Sequence, residues 1–319
     1  MLFLIIPAVA AGLTLIFFLT CALIANGMAM TNRVPLFVPD RLATATFMNV
    51  HFPSRVDRIR IRGWYIKSVN PNSRKTVILL HGGKQNRADQ TIDLIHLSLD
   101  LGQQGFNVLS FDRRGCGESE AASFRERACF DRDVIGAIDF MLSLKPGEKI
   151  FLLGTSVGAV VALTAASKDP RVSGVIADCC FKSHLAMGRR VLSQTFKPFI
   201  VFAPMAVQLG PMVCGLEQSN AIYTTQRVKC PILFINGDAD SVVPPDDAEE
   251  LKSLSAHQLS EVWIVPGAGH SLPYKTDPQG YINKVKGFLD KCPVDNTFQT
   301  EVPMNSSAAV QPAKSLITN

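Results

Sequence analysis

The hydrophobic pattern of the chain changes along its length, and each pattern predicts a different kind of element. Residues 44–52 and 58–67 alternate between apolar and polar side chains, which is typical of half-buried antiparallel strands. From residue 76 onward, continuous apolar runs alternate with helical stretches, and such runs indicate strands covered on both faces of a parallel sheet. The runs are 77–80, 108–111, 150–153, 172–177, 232–235 and 262–265.

Helical periodicity fills the intervals between these runs. Strands that alternate with helices indicate right-handed βαβ units, and therefore a three-layer α/β sandwich with a mostly parallel central sheet. The predicted helices are 89–104, 124–144, 157–168, 246–253 and 279–291.

One interval, 181–227, is too long for a simple strand-to-helix connection. Its apolar stretch, 196–216, contains Pro198, Pro204 and Pro211. Prolines interrupt helices, so they argue against one continuous helix and against a second membrane span. We interpret 181–227 as a small helical lid over the active site. A helix pair packed on the sheet edge is the alternative.

The N-terminal residues form another distinct segment. Residues 2–25 contain no charged side chain, and a helix of this length crosses a hydrocarbon core of about 30 Å. A cleaved signal peptide, and hence export, is the alternative, but the segment lacks the basic start and short apolar core of such peptides. Arg33 and Arg41 follow the segment, so we predict a single-pass anchor with a cytoplasmic catalytic domain.

These patterns divide the chain into four parts. The predicted parts are a transmembrane anchor (1–26), a linker (27–43), one α/β domain that includes the lid (44–291), and a tail (292–319). The tail is rich in Ser, Thr, Asn, Gln, Ala and Pro without periodicity, which predicts disorder.

Composition and charge exclude several functional classes. The 319 residues carry a formal net charge of only +5, without a dense Lys/Arg stripe, so the sequence argues against nucleic-acid binding. The eight cysteines show no paired metal-ligand spacing. Buried, reduced thiols agree with a cytoplasmic domain, and no metal site is predicted.

The most informative motif follows the run 150–153. Ser156 lies between Gly154 and Gly158, where a buried strand turns into the predicted helix 157–168. Such a turn is a nucleophile elbow: it strains the serine backbone and directs the hydroxyl away from the sheet. The glycines are required because a Cβ at either position would collide with neighbouring backbone. Ser156 is therefore the predicted nucleophile, with an ordinary βα turn as the alternative.

A serine hydroxyl needs a base, and the base needs an acid that fixes its tautomer. His270 follows the run 262–265 in a glycine-rich loop, and Asp240 follows the run 232–235. The carboxyl ends of parallel strands share one edge of a sheet, so the three side chains are expected to meet there. Asp238 is the main alternative acid, and Asp178, at the end of another strand, is the third.

The order of these motifs resembles that of the α/β-hydrolases. The resemblance covers about residues 52–289 and is closest to membrane-anchored serine hydrolases of the BEM46-like and ABHD13-like type. It implies that the acid is Asp240 and that the chain hydrolyses esters or thioesters. The segments that carry it are 81–83, 112–119, 154–158, 237–244 and 269–270.

The loop that begins at His81 resembles an oxyanion-hole loop. The backbone N–H of Gly83 is expected to act with that of Val157, while His81 and Asp112 have structural roles, Asp112 by pairing with a nearby arginine. The predicted mechanism is acyl transfer through an acyl-enzyme, without a metal or organic cofactor. The apolar lid and the anchor favour lipid or other acyl-chain substrates. An acyltransferase with the same triad and a non-catalytic membrane-tethered scaffold are the alternatives; the oligomeric state is left open.

Overall fold

A computed structural model describes residues 2–28, 31, 33–38, 47–195, 197–216, 220–292 and 309–312. Within this part of the chain, nine strands form one sheet in the order β8-β7-β6-β5-β3-β4-β2-β1-β9. The strands are β1 (Met48–Pro53), β2 (Arg60–Ile66), β3 (Lys75–Leu80), β4 (Asn107–Phe111), β5 (Lys149–Thr155), β6 (Val172–Asp178), β7 (Ile232–Gly237), β8 (Glu261–Val265) and β9 (Ala309–Pro312).

Strands β3 to β8 are parallel, whereas β1, β2 and β9 add antiparallel pairs at one edge. The helices are α1 (Leu2–Met28), α2 (Leu94–Gln103), α3 (Phe130–Leu144), α4 (Val157–Lys168), α5 (His184–Thr195), α6 (Ala203–Cys214), α7 (Ala221–Arg227), α8 (Pro245–Ser253), α9 (Pro273–Thr276) and α10 (Pro278–Lys291).

Two apolar clusters lie on the two faces of the sheet, which confirms the predicted three-layer sandwich. In β5, Ile150 and Leu152 point into the cluster with α3, α4 and α8, and Phe151 and Leu153 into the cluster with α2 and α10. All four side chains are fully buried. Successive strand residues point to opposite faces, so a central strand covered by helices on both sides must be continuously apolar.

Two predicted helices begin later than the sequence pattern suggested. Helix α2 starts at Leu94, because Asp89 and Asp93 form turns: the Asp89 carboxylate accepts from the Thr91 N–H, and Asp93 has a left-handed backbone. The predicted helix 124–144 also begins late. The Ala128 N–H donates to the carbonyl of Cys214, outside the predicted helix, and the regular α-helix α3 begins at Phe130.

The tail differs from the predicted disorder in four residues. Ala309–Pro312 forms β9, which pairs antiparallel with β1. Without this strand, β1 would expose a row of unpaired main-chain groups at the edge of the sheet, and pairing satisfies them. Residues 293–308 and 313–319 lie outside the described residues.

The predicted linker contains a segment that packs on the domain. Leu36 and Val38 contact one of the two core clusters, and the Asn86 side chain donates to the carbonyl of Val34 at 2.8 Å. The path of residues 33–38 along the domain is therefore fixed by both apolar contacts and hydrogen bonds.

Two segments are long and apolar enough to cross a membrane, Ile5–Gly27 with a mean hydropathy of 2.4 and Lys197–Cys214 with 1.3. The second consists of a 3-10 turn, Lys197–Phe202, followed by α6. The second segment is thus divided between two kinds of helix, in agreement with the interruption that its prolines predicted. Among the described residues, α1 is the segment that reaches spanning length as one uninterrupted α-helix.

Candidate active site

Ser156 occupies a strained turn between β5 and α4. Its backbone has φ 56° and ψ −114°, a conformation that side-chain-bearing residues rarely adopt. The flanking glycines are needed on steric grounds. A Cβ on Gly154 would lie 2.2 Å from the carbonyl oxygen of Gly158, and a Cβ on Gly158 would lie 2.4 Å from that of Leu80. The serine N–H donates to the carbonyl of Asp178 at 2.8 Å, which ties the turn to β6.

The structure brings the three predicted side chains into one hydrogen-bonded chain. Ser156 Oγ lies 3.1 Å from His270 Nε2, and His270 Nδ1 lies 2.8 Å from Asp240 Oδ2. The other carboxylate oxygen, Oδ1, accepts from the N–H groups of Val242 and Val243, each at 2.8 Å. Both oxygens of Asp240 are thus occupied, and only one faces the imidazole.

The loops that carry the acid and the base are locked together through the backbone. The Ala239 N–H donates to the carbonyl of Ala268 at 3.1 Å, and a Cβ on Gly237 would collide with that same carbonyl. Asp238 Oδ1 accepts from the Gly267 N–H at 2.6 Å. These contacts hold Asp240 and His270 at a fixed separation, and the close approach of the Ala268 carbonyl explains the glycine at position 237.

The two alternative acids have other partners. Asp238 is exposed and joins the two loops. Asp178 is buried, and its Oδ2 accepts from the hydroxyl of Tyr281 at 3.0 Å. Of the three candidates, Asp240 is the carboxylate that hydrogen-bonds to the imidazole.

Burial and hydrogen bonding act on these carboxylates in opposite directions. Burial opposes ionisation of Asp240, but hydrogen bonds from His270, Val243 and Val242 outweigh it and lower the pKa of its carboxyl. For Asp178 burial prevails over the hydrogen bonds from Cys179 and Tyr281 and raises the pKa to about 6. One acid is therefore held ionised beside the imidazole, and its neighbour takes up a proton at a higher pH than an ordinary carboxyl does.

The donor atoms of Cys179, Asp240 and His270 lie within 4.8 Å of one another, the separation of a metal-ligand set. Asp240 and His270 already bond to each other, and Cys179 Sγ accepts from the Ser271 N–H. Burial together with the charges of Asp178 and Asp240 raises the pKa of the Cys179 thiol. A protonated thiol is a poor metal ligand, so the cluster is better explained as support for the imidazole.

Asp178→Asn gives a pH-dependent change in stability. A carboxyl whose pKa is raised by folding, from 3.8 to about 6, keeps a proton that the unfolded chain has lost. Wild-type stability contributed by this group therefore falls as the pH rises from about 4 to about 6 and stays low above that. Asparagine does not titrate. Between pH 4 and pH 7 the free energy of unfolding of the variant should therefore rise by about 2 kcal/mol relative to that of the wild type.

Denaturant titrations of both proteins at pH 4, 5, 6 and 7 measure this difference. Other titrating groups are common to the two proteins and cancel. A difference in stability that is constant with pH would contradict a raised pKa for Asp178.

The candidate oxyanion residues lie side by side. A Cβ on Gly83 would be 3.3 Å from Val157 Cγ2. Val157 is the first residue of α4, where backbone N–H groups lack intrahelical acceptors. Within the described residues, the backbone N–H groups of Gly83 and Val157 have no protein acceptor. These two amides are therefore available as donors to a developing oxyanion beside Ser156.

His81 and Asp112 belong to a buried network beneath this loop. His81 Nε2 accepts from the Arg113 N–H at 3.2 Å, and burial lowers the pKa of the imidazole well below its ordinary value. Asp112 accepts from the Arg87 N–H at 2.8 Å and forms an ion pair with the Arg87 guanidinium. These partners indicate that His81 and Asp112 have structural roles. The arginine that pairs with Asp112 is Arg87, in the loop that begins at His81.

A cavity of about 520 Å³ adjoins the candidate oxyanion residues. Gly83 and Val157 form part of its wall, together with residues of α3, α4, the lid helices α5 and α6, the end of α1 and several loops. Its volume lies in the range of ligand pockets, about 300–1,000 Å³. Sequence reasoning placed the lid near the site but missed the contribution of α1, because no local pattern records which distant helix packs beside the lid.

Comparisons with known proteins agree with this geometry. A family model described as serine aminopeptidase, S33, matches residues 71–208, and one described as serine hydrolase (FSH1) matches residues 144–281. The second range contains the elbow, the acid loop and the base loop. The chain is an α/β-hydrolase. It is a serine hydrolase by family, as its sequence motifs predicted.

The relatives of this α/β-hydrolase include proteins from a nematode and a yeast. It is 27% identical over 225 residues to the α/β-hydrolase domain-containing protein aho-3 of Caenorhabditis elegans, covering 69% of this chain and 59% of that protein. It is 26% identical over 236 residues to the uncharacterized membrane protein YNL320W of Saccharomyces cerevisiae, covering 73% and 76%. The narrower resemblance to the BEM46-like and ABHD13-like type stays a prediction.

Solved structures confirm the α/β-hydrolase fold. The Pyrococcus furiosus esterase Pf2001 superposes with a TM-score of 0.67 at 23% identity, covering 82% of this chain and 98% of the esterase chain. At this level of identity the likeness shows a common fold.

Proposed function

We propose that this chain hydrolyses carboxylic esters or thioesters of acyl-chain substrates through a Ser156–His270–Asp240 triad. The observation that carries the proposal is the continuous hydrogen-bonded chain from Ser156 Oγ through the imidazole to Asp240. A hydroxyl, a base in contact with it and an acid that fixes the tautomer of the base are the elements of nucleophilic acyl transfer.

In the proposed mechanism, Ser156 Oγ attacks the substrate carbonyl carbon while His270 Nε2 takes the hydroxyl proton. Asp240 stabilises the resulting imidazolium through Nδ1. The Gly83 and Val157 N–H groups donate to the oxyanion, an interaction that typically contributes a few kcal/mol to transition-state stabilisation. His270 then returns the proton to the leaving alcohol or thiol. An acyl-enzyme remains, and water activated by His270 releases the acid.

The proposed acyl specificity is supported by the apolar character of the adjoining cavity. Most of its wall is apolar and includes Val160, Phe181, Met187 and Val207, whereas the charged residues Lys84, Arg113 and Asp131 occupy a smaller part of it. We further propose that α1 anchors the chain in a membrane with the catalytic domain on the cytoplasmic side. The uncharged helix and the basic Arg33 beyond its end support this orientation.

Activity profiling of the purified full-length protein tests the proposed function. The substrates are p-nitrophenyl esters of increasing acyl length, an acyl thioester, and an aminoacyl p-nitroanilide that represents the aminopeptidase family model. We expect turnover of the esters and thioester well above that of the anilide. In parallel, an alkyl fluorophosphonate should modify the peptide that contains Ser156. Turnover of the anilide alone, or modification elsewhere, would overturn the proposal.

A further inference from the structure

The apolar cavity has one wall that does not come from the catalytic domain. Ile24 and Gly27 of α1 line it, together with Thr31 just beyond the helix end. Val160 and Val161 of α4, the helix that begins directly after Ser156, are buried and also line it. The cavity thus extends from the catalytic serine's helix to the helix that has the dimensions of a membrane span.

Helix α1 is packed on the lid over its last turns. Cys21 and Ala25 of α1 and Ala206 of α6 are fully buried in a common cluster. Phe17 packs against Phe202 with ring centroids 5.2 Å apart and the ring planes tilted by 36°. Cys214 Sγ also approaches the carbonyl oxygen of Ala25 at 3.8 Å. These contacts fix the position of α1 relative to the cavity.

The depth of this contact follows from helix geometry. The apolar stretch Ile5–Gly27 has 23 residues, so it is about 35 Å long and covers a hydrocarbon core of about 30 Å. The residues that contact the lid, from Phe17 to Ala25, lie within about 15 Å of the end nearest the catalytic domain. If α1 spans the bilayer, the contact with α6 lies in the leaflet on that side.

The outer surface of the lid is apolar, as contact with the hydrocarbon of a leaflet requires. Helix α6 contains no Asp, Glu, Lys or Arg. Val201 and Met212 are 66% and 74% exposed, and on α1 Leu19 and Leu23 are similarly exposed. Large exposed apolar side chains on adjoining elements form a surface that favours hydrocarbon over water.

We propose that the acyl chain of the substrate enters directly from this leaflet, between α1 and the lid, and that α1 forms one wall of its binding site. This inference rests on the proposed function. It makes the membrane helix a specificity element: the anchor sets how much of an acyl chain the cavity accepts.

Gly27 offers a direct way to test the wall. It lines the cavity, and a Cβ at this position would meet no atom within 4 Å. A leucine there would extend into space that the acyl chain needs, and its Cβ would meet no neighbouring atom. Gly12 lies in the same helix, and a Cβ there would also meet no atom within 4 Å. Because Gly12 does not line the cavity, it is the matched control.

The first measurement uses full-length protein in phosphatidylcholine nanodiscs. The ratio of kcat/KM for p-nitrophenyl palmitate to that for p-nitrophenyl butyrate should fall at least tenfold in Gly27→Leu. The ratio should be unchanged in Gly12→Leu. An unchanged ratio in Gly27→Leu, or an equal fall in both variants, would overturn the inference.

The second measurement needs no catalysis, so that it separates this inference from the proposed function. A palmitic acid analogue with a mid-chain diazirine is photolysed with the Ser156→Ala protein in the same nanodiscs. Cross-links are expected in the peptide that contains Val160, Val161 and Thr164, and adding Gly27→Leu should reduce them at least fivefold. Adding Gly12→Leu should not.

Absence of cross-links to that peptide, or cross-links insensitive to Gly27→Leu, would overturn the inference. If instead the cross-links appear as expected while the wild type turns over no ester or thioester, the acyl site stands and the proposed function fails.

Discussion

Ser156→Ala is expected to lower kcat for a p-nitrophenyl ester by about a millionfold, the scale found when a serine nucleophile is removed from a triad. The hydroxyl that His270 Nε2 contacts at 3.1 Å is then missing, so no acyl-enzyme can form. Only the oxyanion amides and substrate binding remain, and these leave a small residual acceleration over water. Steady-state hydrolysis and fluorophosphonate labelling measure the effect.

Ser241→Ala is the control for this variant. Ser241 is exposed in the loop that carries Asp240, and its replacement should leave turnover and labelling as in the wild type. Labelling of Ser156→Ala at the wild-type rate would assign the nucleophile to another residue.

Asp240→Asn is expected to lower kcat by about 10⁴-fold, and the structure gives the reason. Asp240 Oδ1 accepts from the N–H groups of Val242 and Val243, so the amide oxygen of an asparagine must take that place. Its NH₂ group would then face His270 Nδ1 and donate to it. The imidazole would carry its proton on Nε2, facing Ser156, and could not act as the base.

Asp238→Asn is the matched control, because Asp238 is a neighbouring acid in the same loop with an exposed side chain. Its oxygen accepts from the Gly267 N–H, and an asparagine oxygen can do the same. A loss of no more than a few-fold is therefore expected. If the ranking were reversed, the acid would be Asp238. If neither variant lost activity, Asp178 would become the candidate acid.

The central sheet could be predicted because its strands are continuous apolar runs, which can be recognised directly in the sequence. Strand ends were harder to place: β3, β5 and β8 begin one or two residues earlier than predicted, at Lys75, Lys149 and Glu261. Charged side chains at a sheet end can reach solvent while the backbone still pairs. Local turns also displaced the start of α2, since Asp89 and Asp93 compete with the helix for backbone donors.

The candidate site was predictable because each of its members follows a strand. Parallel strands bring Ser156, Asp240 and His270 to one edge whatever the intervening sequence. No comparable pattern in the sequence predicts that Ile24 and Gly27 form a wall of the cavity. Its position depends on packing between α1 and α6, which are about 180 residues apart, and apolar composition does not specify a partner. The β9 strand was missed for the same reason, since four residues in a polar tail carry little signal.

The left-handed backbone of Ser156 has a further consequence: activity and stability compete at this one position. A conformation with φ 56° typically costs about 1–3 kcal/mol in any residue with a Cβ, and glycine escapes most of that cost. Glycine also gives the unfolded chain more freedom, which offsets about 0.4–1 kcal/mol. Ser156→Gly should therefore melt about 2–4 °C above Ser156→Ala, as measured by thermal unfolding, although both are inactive. A glycine variant that melts at or below the temperature of the alanine variant would mean that the strain does not exceed the entropic cost of glycine. A higher value for the glycine variant would mean that selection has kept a less stable protein for the sake of one hydroxyl.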